Sequence, residues 1–390
     1  MKKLLSFILG VCLIIPCAFM FTGCKDKEPQ METWDGTTIE VSAADANGVI
    51  TIETAEELAG LAEEVNEGNN FAGKTIRLAC DMDMANRTWT PIGLGNRNIL
   101  GDETNAFSGT FDGNGKKIVG LTNGRYTPAD SHKALEGDLT TTVYTYQYGL
   151  FGIVIDATIK NIAVTISFDC DDTNLQGDSV GGIVGFSSGS LTMENCVVNG
   201  TIDGGFDAIG GLVGRVYYST DEKKVSITNC VNNASVEADF KAAGIVGYAS
   251  ADNLHLTIEN CVNNGEIKVD GVNLKNIAYQ SAVSGIINYG WKTNKNNTLI
   301  VKNNVNKGRI ESCSILSPSL QNWHSFAYIA NSVSEGFDSL NHDYDFRGNT
   351  NEGKVYYNGA EETNVLAVTH NQSYPEYDSQ KEYNNLTNME

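Results

Sequence analysis

Asn229-Cys230-Val231-Asn232-Asn233-Ala234-Ser235-Val236 returns as Asn260-Cys261-Val262-Asn263-Asn264-Gly265-Glu266-Ile267, and both echo Asn195-Cys196-Val197-Val198-Asn199-Gly200-Thr201-Ile202. A fourth copy runs Asn303-Asn304-Val305-Asn306-Lys307-Gly308-Arg309-Ile310, and a worn fifth runs Gly348-Asn349-Thr350-Asn351-Glu352-Gly353-Lys354-Val355. A degenerate first copy begins at Asn161-Ile162. From Ile162 through Cys196, Cys230, Cys261, Asn304 and Asn349 the spacings are 34, 34, 31, 43 and 45 residues. Repeats of this length mark a solenoid, a propeller or an array.

Alternation chooses among these. Before each Asn-Cys position the apolar residues fall two apart: Leu191 and Met193, Val225 and Ile227, Leu256 and Ile258, Leu299 and Val301. Period two is the mark of a strand with one buried face. A second motif precedes each copy, as Gly149-Leu150-Phe151-Gly152, Gly182-Ile183-Val184-Gly185, Gly211-Leu212-Val213-Gly214 and Gly244-Ile245-Val246-Gly247. Gly285-Ile286-Ile287-Asn288 and Ala327-Tyr328-Ile329-Ala330 are decayed forms of it. Each repeat thus offers three strands: the Gly-aliphatic stretch, the stretch ending at Asn-Cys, and the stretch after Asn-Gly. Three strands and three turns make one coil. The expected fold is all-β, a right-handed single-stranded parallel β-helix, because parallel crossovers are nearly always right-handed.

Stacked coils place equivalent residues about 4.8 Å apart. Leu191, Val225, Leu256 and Leu299 form one apolar column, and Met193, Ile227, Ile258 and Val301 another. Ile202, Val236, Ile267, Ile310 and Val355 form a third. Asn161, Asn195, Asn229, Asn260 and Asn303 form an asparagine column at a bend, where stacked amides bond one another and tolerate the turn conformation. Cys196, Cys230 and Cys261 form a cysteine column. The rung spacing permits a disulfide, but three stacked cysteines cannot all pair and Asn304 interrupts the series. They are read as reduced, inward-packed thiols. The redox state of Cys80, Cys170 and Cys313 stays open.

Ahead of the repeats, Ile50-Thr51-Ile52-Glu53 is a strand candidate. Thr54-Ala55-Glu56-Glu57 is a capping box that opens a helix to about Asn66, with Leu58, Leu61 and Val65 on one face. Such a helix covers the end of a solenoid, where a bare coil would expose its strand edge.

The first residues address the chain. Met1-Lys2-Lys3, an apolar run from Leu4 to Phe21, and Phe21-Thr22-Gly23-Cys24 followed by Lys25-Asp26-Lys27-Glu28 make a secretory signal. Cys24 after Thr-Gly resembles the lipobox of bacterial lipoproteins, in which the cysteine is diacylated and becomes the mature N-terminus. Phe21 departs from the usual aliphatic residue of that motif. The residues after Cys24 also resemble the surface-export tag of some Bacteroidota lipoproteins. The expected divisions are a signal peptide over 1–23, a lipidated Cys24 with a tether over 24–46, a β-helix over 47–361, and a C-terminal cap or loose tail over 362–390. The implied location is the outer membrane, lipid-anchored and facing the surface.

A formal net charge of −21 with no basic stripe argues against nucleic acid as a partner. Taken together, the Gly-aliphatic copies, Ala55-Glu56-Glu57-Leu58-Ala59, Asp81-Met82-Asp83-Met84, Trp89-Thr90-Pro91-Ile92-Gly93 and Phe107-Ser108-Gly109-Thr110-Phe111-Asp112-Gly113-Asn114-Gly115 resemble bacterial surface proteins carrying the GLUG motif. That resemblance spans roughly residues 50–310. It implies a pectate-lyase-like β-helix and an adhesin-like surface role, and it brings no catalytic residues with it.

The search for chemistry ends without a reaction centre. No His-Glu-x-x-His occurs, and His132, His255, His324, His342 and His370 lack ligand spacing. Gly185-Phe186-Ser187-Ser188-Gly189 matches a nucleophile elbow, but a β repeat follows where the elbow needs a helix. Asp169 with Asp171 and Asp172, Asp81 with Asp83, and Asp343 with Asp345 are acidic clusters that supply too few oxygens for calcium alone and read as solvated turns. No metal and no cofactor is expected. Phe186, Arg215, Tyr248 and Tyr289 follow the Gly-aliphatic motif in successive coils and form the candidate binding surface, an outward stripe for a sugar or a protein. An aromatic ladder that only stabilises one face is the other option, and Tyr217, Tyr218, Trp291 and Trp323 could extend either. The expected function is a lipid-anchored, non-catalytic binding or adhesin-like module whose partner is a glycan or a host or bacterial surface protein. The alternatives are a glycan-cleaving enzyme on a lyase-like β-helix and a structural spacer.

If Cys24 carries the lipid, Cys24→Ser abolishes incorporation of labelled palmitate and moves the chain out of the membrane fraction. Undiminished label in the variant would remove the lipoprotein assignment.

Overall fold

The alternating stretches are strands and they stack in the expected register. A computed structural model describes residues 31–94, 104–123, 147–170, 179–203, 207–217, 222–250, 253–270, 281–290, 297–313, 324–332, 342–363, 365 and 368–369. Leu191–Glu194, Lys223–Thr228, Leu254–Glu259 and Asn297–Lys302 lie side by side in parallel, with Leu191 opposite Val225, Val225 opposite Leu256 and Leu256 opposite Leu299. Met193, Ile227, Ile258 and Val301 make the second column, and Ile202, Val236, Ile267, Ile310 and Val355 the third. Every member of the three columns is buried, so they form one continuous apolar core.

The fold is mostly β, built from long parallel sheets as in a parallel solenoid. Among the described residues, one sheet has 21 strands and takes the segments on both sides of the Asn-Cys bend. A sheet of seven takes Val184–Ser187, Val213–Tyr217, Val246–Ser250 and their equivalents, and a sheet of six takes Ser179–Gly181, Ala208–Gly210, Lys241–Ala243 and theirs. The single strand expected at each Gly-aliphatic stretch is therefore a corner between two strands in different sheets. A Cβ on Gly210 would sit 2.0 Å from the Val213 carbonyl oxygen, and a Cβ on Gly247 would sit 2.6 Å from the backbone of Ile209. Only glycine lets the two strands turn and approach so closely. In the next coil Asn288 takes the glycine's place and its amide donates to the carbonyls of Ala242 and Gly247 at 2.9 and 3.0 Å. The copy that looks decayed in sequence replaces close approach with a hydrogen-bonded bridge.

The helix spans Ala55–Asn66 with the capping box formed: Thr54 Oγ1 accepts from the Glu57 amide, and the Glu57 carboxylate accepts from the Thr54 amide. Leu58, Leu61 and Val65 are fully buried and join the solenoid core beside Ile50 and Ile52 of the sheet's first long strand, Val49–Ile52. The expected tether ends earlier than residue 46. Glu32–Thr33 pairs with Met82–Asp83, Trp34 is buried edge-on to Trp89, and the Ile39 amide donates to Glu56 O on the helix. Burial of the Trp34 indole and this pairing fix the segment to the fold. At the other end Ala360–Glu362 folds back antiparallel on Val355–Tyr357, and Val368–Thr369 adds to Ala330–Asn331, so part of the expected tail supplies strands.

Two asparagine columns hold the bends. The outer one is as expected: Asn161, Asn195, Asn229, Asn260 and Asn303 all have φ between 54° and 56°, the left-handed region that asparagine tolerates. Asn195 donates to Asn161, and Asn161 donates to Asp112, each at 3.1 Å. The inner one is new. Asn232, Asn263 and Asn306 are fully buried. Asn232 Nδ2 donates to Asn263 Oδ1 at 2.8 Å, Asn263 to Asn306 at 2.7 Å, and Asn306 to Asn351 at 2.7 Å. The second N–H of each amide goes to the carbonyl two residues on, at Ala234, Gly265, Gly308 and Gly353. Both donors are thus satisfied in an apolar interior, where an unmade hydrogen bond costs roughly 1–3 kcal/mol.

Cys196, Cys230 and Cys261 are free and fully buried, as read from the sequence. Their Sγ atoms contact backbone carbonyls of Glu194, Thr228 and Glu259. Hydrogen bonding to Cys196 and Cys230 respectively, then burial, pushes the Cys230 and Cys261 thiols well above the usual range. Asn304 continues this column too: it is buried, and its Oδ1 accepts from the Cys261 amide at 2.8 Å. Cys80, Cys170 and Cys313 are likewise outside any disulfide and are half-buried.

Asn263→Ala should lower the unfolding free energy by about 3 kcal/mol, since it breaks two ladder bonds and leaves Asn232 a buried donor without an acceptor. Asn264→Ala, one residue on in an exposed row, should cost under about 1 kcal/mol. Urea unfolding followed by circular dichroism measures both, and equal losses would deny the inner row its special weight.

Candidate functional site: a buried charge cluster on the outer sheet face

The residues expected to form an outward aromatic stripe are brought into line, but not outward. Ile153, Phe186, Arg215 and Tyr248 occupy one register column of the seven-stranded sheet. Phe186 is fully buried in a small cluster with Ala106 and Ile153, apart from the main core. Tyr289 leaves the column altogether. The register slips between Val246 and Ala249, so that Tyr289 faces Ala249 rather than Tyr248. That irregularity turns it into the core beside Tyr344 and Phe346, with ring centroids 6.2 and 6.4 Å away. The exposed stripe is corrected to a covered column in which Arg215 and a half-buried Tyr248 are the polar members.

Arg215 is only 5% exposed. Its guanidinium pairs with Asp207 and lies 5.6 Å from the Tyr248 ring centre and 5.9 Å from that of Tyr217. The tight Gly210-Gly211 corner joins Ala208–Gly210 to Val213–Tyr217, and so brings Asp207, just before the first strand, to Arg215 in the second. The next coil supplies Lys241. It follows from Ala208 pairing with Lys241 in the six-stranded sheet that Asp207 lies beside it, and the Lys241 amide donates to Asp207 O at 3.0 Å. Lys241 Nζ reaches Asp207 Oδ1 at 2.7 Å and stands 3.7 Å over the Phe240 ring and 4.8 Å over that of Tyr248. Gly290 leaves room for the Tyr248 hydroxyl, since a Cβ there would fall 2.6 Å from it.

Two cations therefore share one carboxylate in a nearly dry setting. Burial alone would raise the Asp207 carboxyl, but Arg215 and Lys241 outweigh it and hold it down at about 2. Burial lowers the Lys241 ammonium, Arg215 adds to that, and Asp207 offsets part of it. Burial raises the Tyr248 phenol. Among the described residues, Arg215 Nε has no hydrogen-bond partner although it is buried. Aromatic faces supply part of the missing stabilisation, yet among the described residues the cluster keeps a net positive charge.

A second titratable group lies on the 21-stranded sheet. Glu237 pairs with Lys268 across adjacent coils, and Lys268 Nζ contacts Glu237 and Asp270 at 2.8 Å each. A hydrogen bond with Asp270, aided by burial, pushes the Glu237 carboxyl up to about 6. Neither cluster was singled out from sequence.

The other candidates fall as follows. Ser187 ends the strand Val184–Ser187, is buried, and is followed by the strand Leu191–Glu194, so the nucleophile-elbow match is a turn between strands. Asp81 and Asp83 accept backbone amides of Lys117 and Ala85, and Asp345 pairs with Arg347 and Lys302. No group of three metal-binding side chains occurs among the described residues. Cys24, His132, Asp171, Asp172, Tyr218, Trp291, Trp323 and His370 lie outside the described residues.

No family model matches the sequence, and no curated protein matches it. Among solved structures, the chain is similar to a candidate immunoglobulin A1 protease from Bacteroides ovatus, at 16% identity and TM-score 0.55, with 84% of each chain covered. It is also similar to an IgA1 protease at 13% identity and TM-score 0.45, where 82% of this chain matches 22% of that one. The first likeness is one of fold: mostly β with long parallel sheets.

Asp207 is depressed from 3.8 to about 2, so its contribution is present above pH 4 and is lost as pH falls toward 2. Asp207→Asn should cost about 3 kcal/mol at pH 7, because it leaves two buried cations unneutralised. The difference between wild type and variant should shrink as pH falls from 4 to 2. A gap that stays constant over that window would contradict the ionised pairing.

Proposed function

We propose that this chain is a lipid-anchored, non-catalytic binding module of the adhesin type, carried on right-handed coils and displayed at the bacterial surface through Cys24. Its partner is a glycan or a surface protein. The observation that carries this is the Arg215–Asp207–Lys241 cluster with Tyr248. Aromatic rings, two cations and one carboxylate converge on the outer side of a sheet whose register fixes them. Sites of recognition combine aromatic bodies with a few placed polar groups in this way. The lipobox resemblance supports the anchor, and the right hand follows from the general rule for parallel crossovers.

A second reading has one observation in its favour. Glu237 and Asp270 share a hydrogen bond beside Lys268, and a carboxyl titrating near 6 can act as a general acid at neutral pH. That would suit an enzyme cleaving a glycan or a protein, and the name of the similar structure from Bacteroides ovatus points the same way.

The full chain, purified in detergent, is applied to a glycan array and to surface-protein extracts, with and without calcium, and any bound sugar is followed for shortening. The module reading expects selective retention that survives Glu237→Gln, with the ligand intact. Shortening that depends on Glu237 would overturn it in favour of the enzyme.

A further inference from the structure

We propose that the Arg215–Asp207–Lys241 cluster is the binding site for a sugar acid, meaning a sugar ring that bears a carboxylate beside free hydroxyls. This rests on the binding-module reading and names its ligand class.

The charge balance is the first reason. Arg215 and Lys241 face a single carboxylate, so one positive charge has no partner in the described cluster. Buried charge without a counterion is costly, and an incoming carboxylate would balance it. The second reason is the orphaned donor. Arg215 is 5% exposed, its Nε has no partner, and its Nη2 is held by Asp207. An anion's oxygen beside Nε would satisfy it with a charge-assisted bond, stronger than a neutral one.

The third reason separates a sugar acid from a bare anion. Asp207 is acceptor-only when ionised and can take about four hydrogen bonds. It stays ionised at neutral pH. A sulfate ion, which carries no donor at neutral pH, would meet it acceptor to acceptor. A sugar acid brings both chemistries, a carboxylate for the cations and hydroxyl donors for Asp207. The rings of Phe240 and Tyr248 lie against the Lys241 ammonium, at 3.7 and 4.8 Å, and help to hold it beside Asp207. Of the two paired groups, the Asp207 side chain keeps the greater exposure, 16% against 6% for Arg215.

Isothermal titration of the full chain in detergent compares oligosaccharides ending in glucuronate, galacturonate or sialate with their neutral counterparts. At least one acidic probe is expected to bind about tenfold more tightly than its neutral partner, or roughly 1.4 kcal/mol. The preference should weaken in high salt. Lys241→Gln leaves Asp207 and Arg215 as a one-to-one pair and should erase the preference. Equal affinity for acidic and neutral probes, or a preference that survives Lys241→Gln, overturns the proposal. Should that variant fail to fold, the salt series on the unaltered chain decides, and a salt-independent preference overturns it. Binding to neutral sugars or protein alone would end the sugar-acid assignment and leave the module. Binding to nothing would end both.

Discussion

An asparagine side chain buried in hydrocarbon is tolerable only if each of its polar atoms has a partner, and here the partner is the asparagine of the next coil. Asn232, Asn263, Asn306 and Asn351 pass one hydrogen bond along the axis and another to their own turn. The bond closes only when successive coils sit at strand spacing in strict register. Much else follows from that condition. The apolar columns must align, the bends must take the left-handed conformation, and the glycines must admit close approach at the corner. The repeat lengths range from 31 to 45 residues, yet the ladder strands keep the same pairing from coil to coil. A slip of one residue would turn the ladder outward and bury its neighbours.

Most of this frame was legible. Period-two alternation and the recurring Asn-Cys octet located the strands, the three apolar columns, the bend asparagines and the stacked thiols, and a capping box located the helix. The inner ladder was hidden by chemistry that looks the same in one letter. Asn232 and Asn233 are adjacent and identical, yet one is buried and the other exposed. The column is also aliphatic at its start, where Val164 and Val198 pair ahead of Asn232. The corner strands were missed because Ala208-Ile209-Gly210 and Lys241-Ala242-Ala243 are too short to show a period.

The site was harder to see for a related reason. Arg215 and Tyr248 were legible as a column, but Tyr289 was not separable from them, because a register irregularity leaves no mark in the sequence. Asp207 and Lys241 lie 34 residues apart and meet only through the pairing of Ala208 with Lys241. Spacing arguments that work within a strand cannot find such a pair. The fold itself is shared with distant proteins of other description, and function belongs to the side chains each chain places on it. The proposed site here is a cation pair sharing one carboxylate, brought together by the pairing of adjacent coils.

Side-chain amide hydrogen exchange, resolved by NMR, tests the inner ladder most directly. The Nδ2 protons of Asn232, Asn263 and Asn306 should exchange with global unfolding, orders of magnitude more slowly than those of the exposed Asn233 and Asn264. Fast exchange at the three buried residues would mean the ladder bonds do not persist, and the register would need another cause.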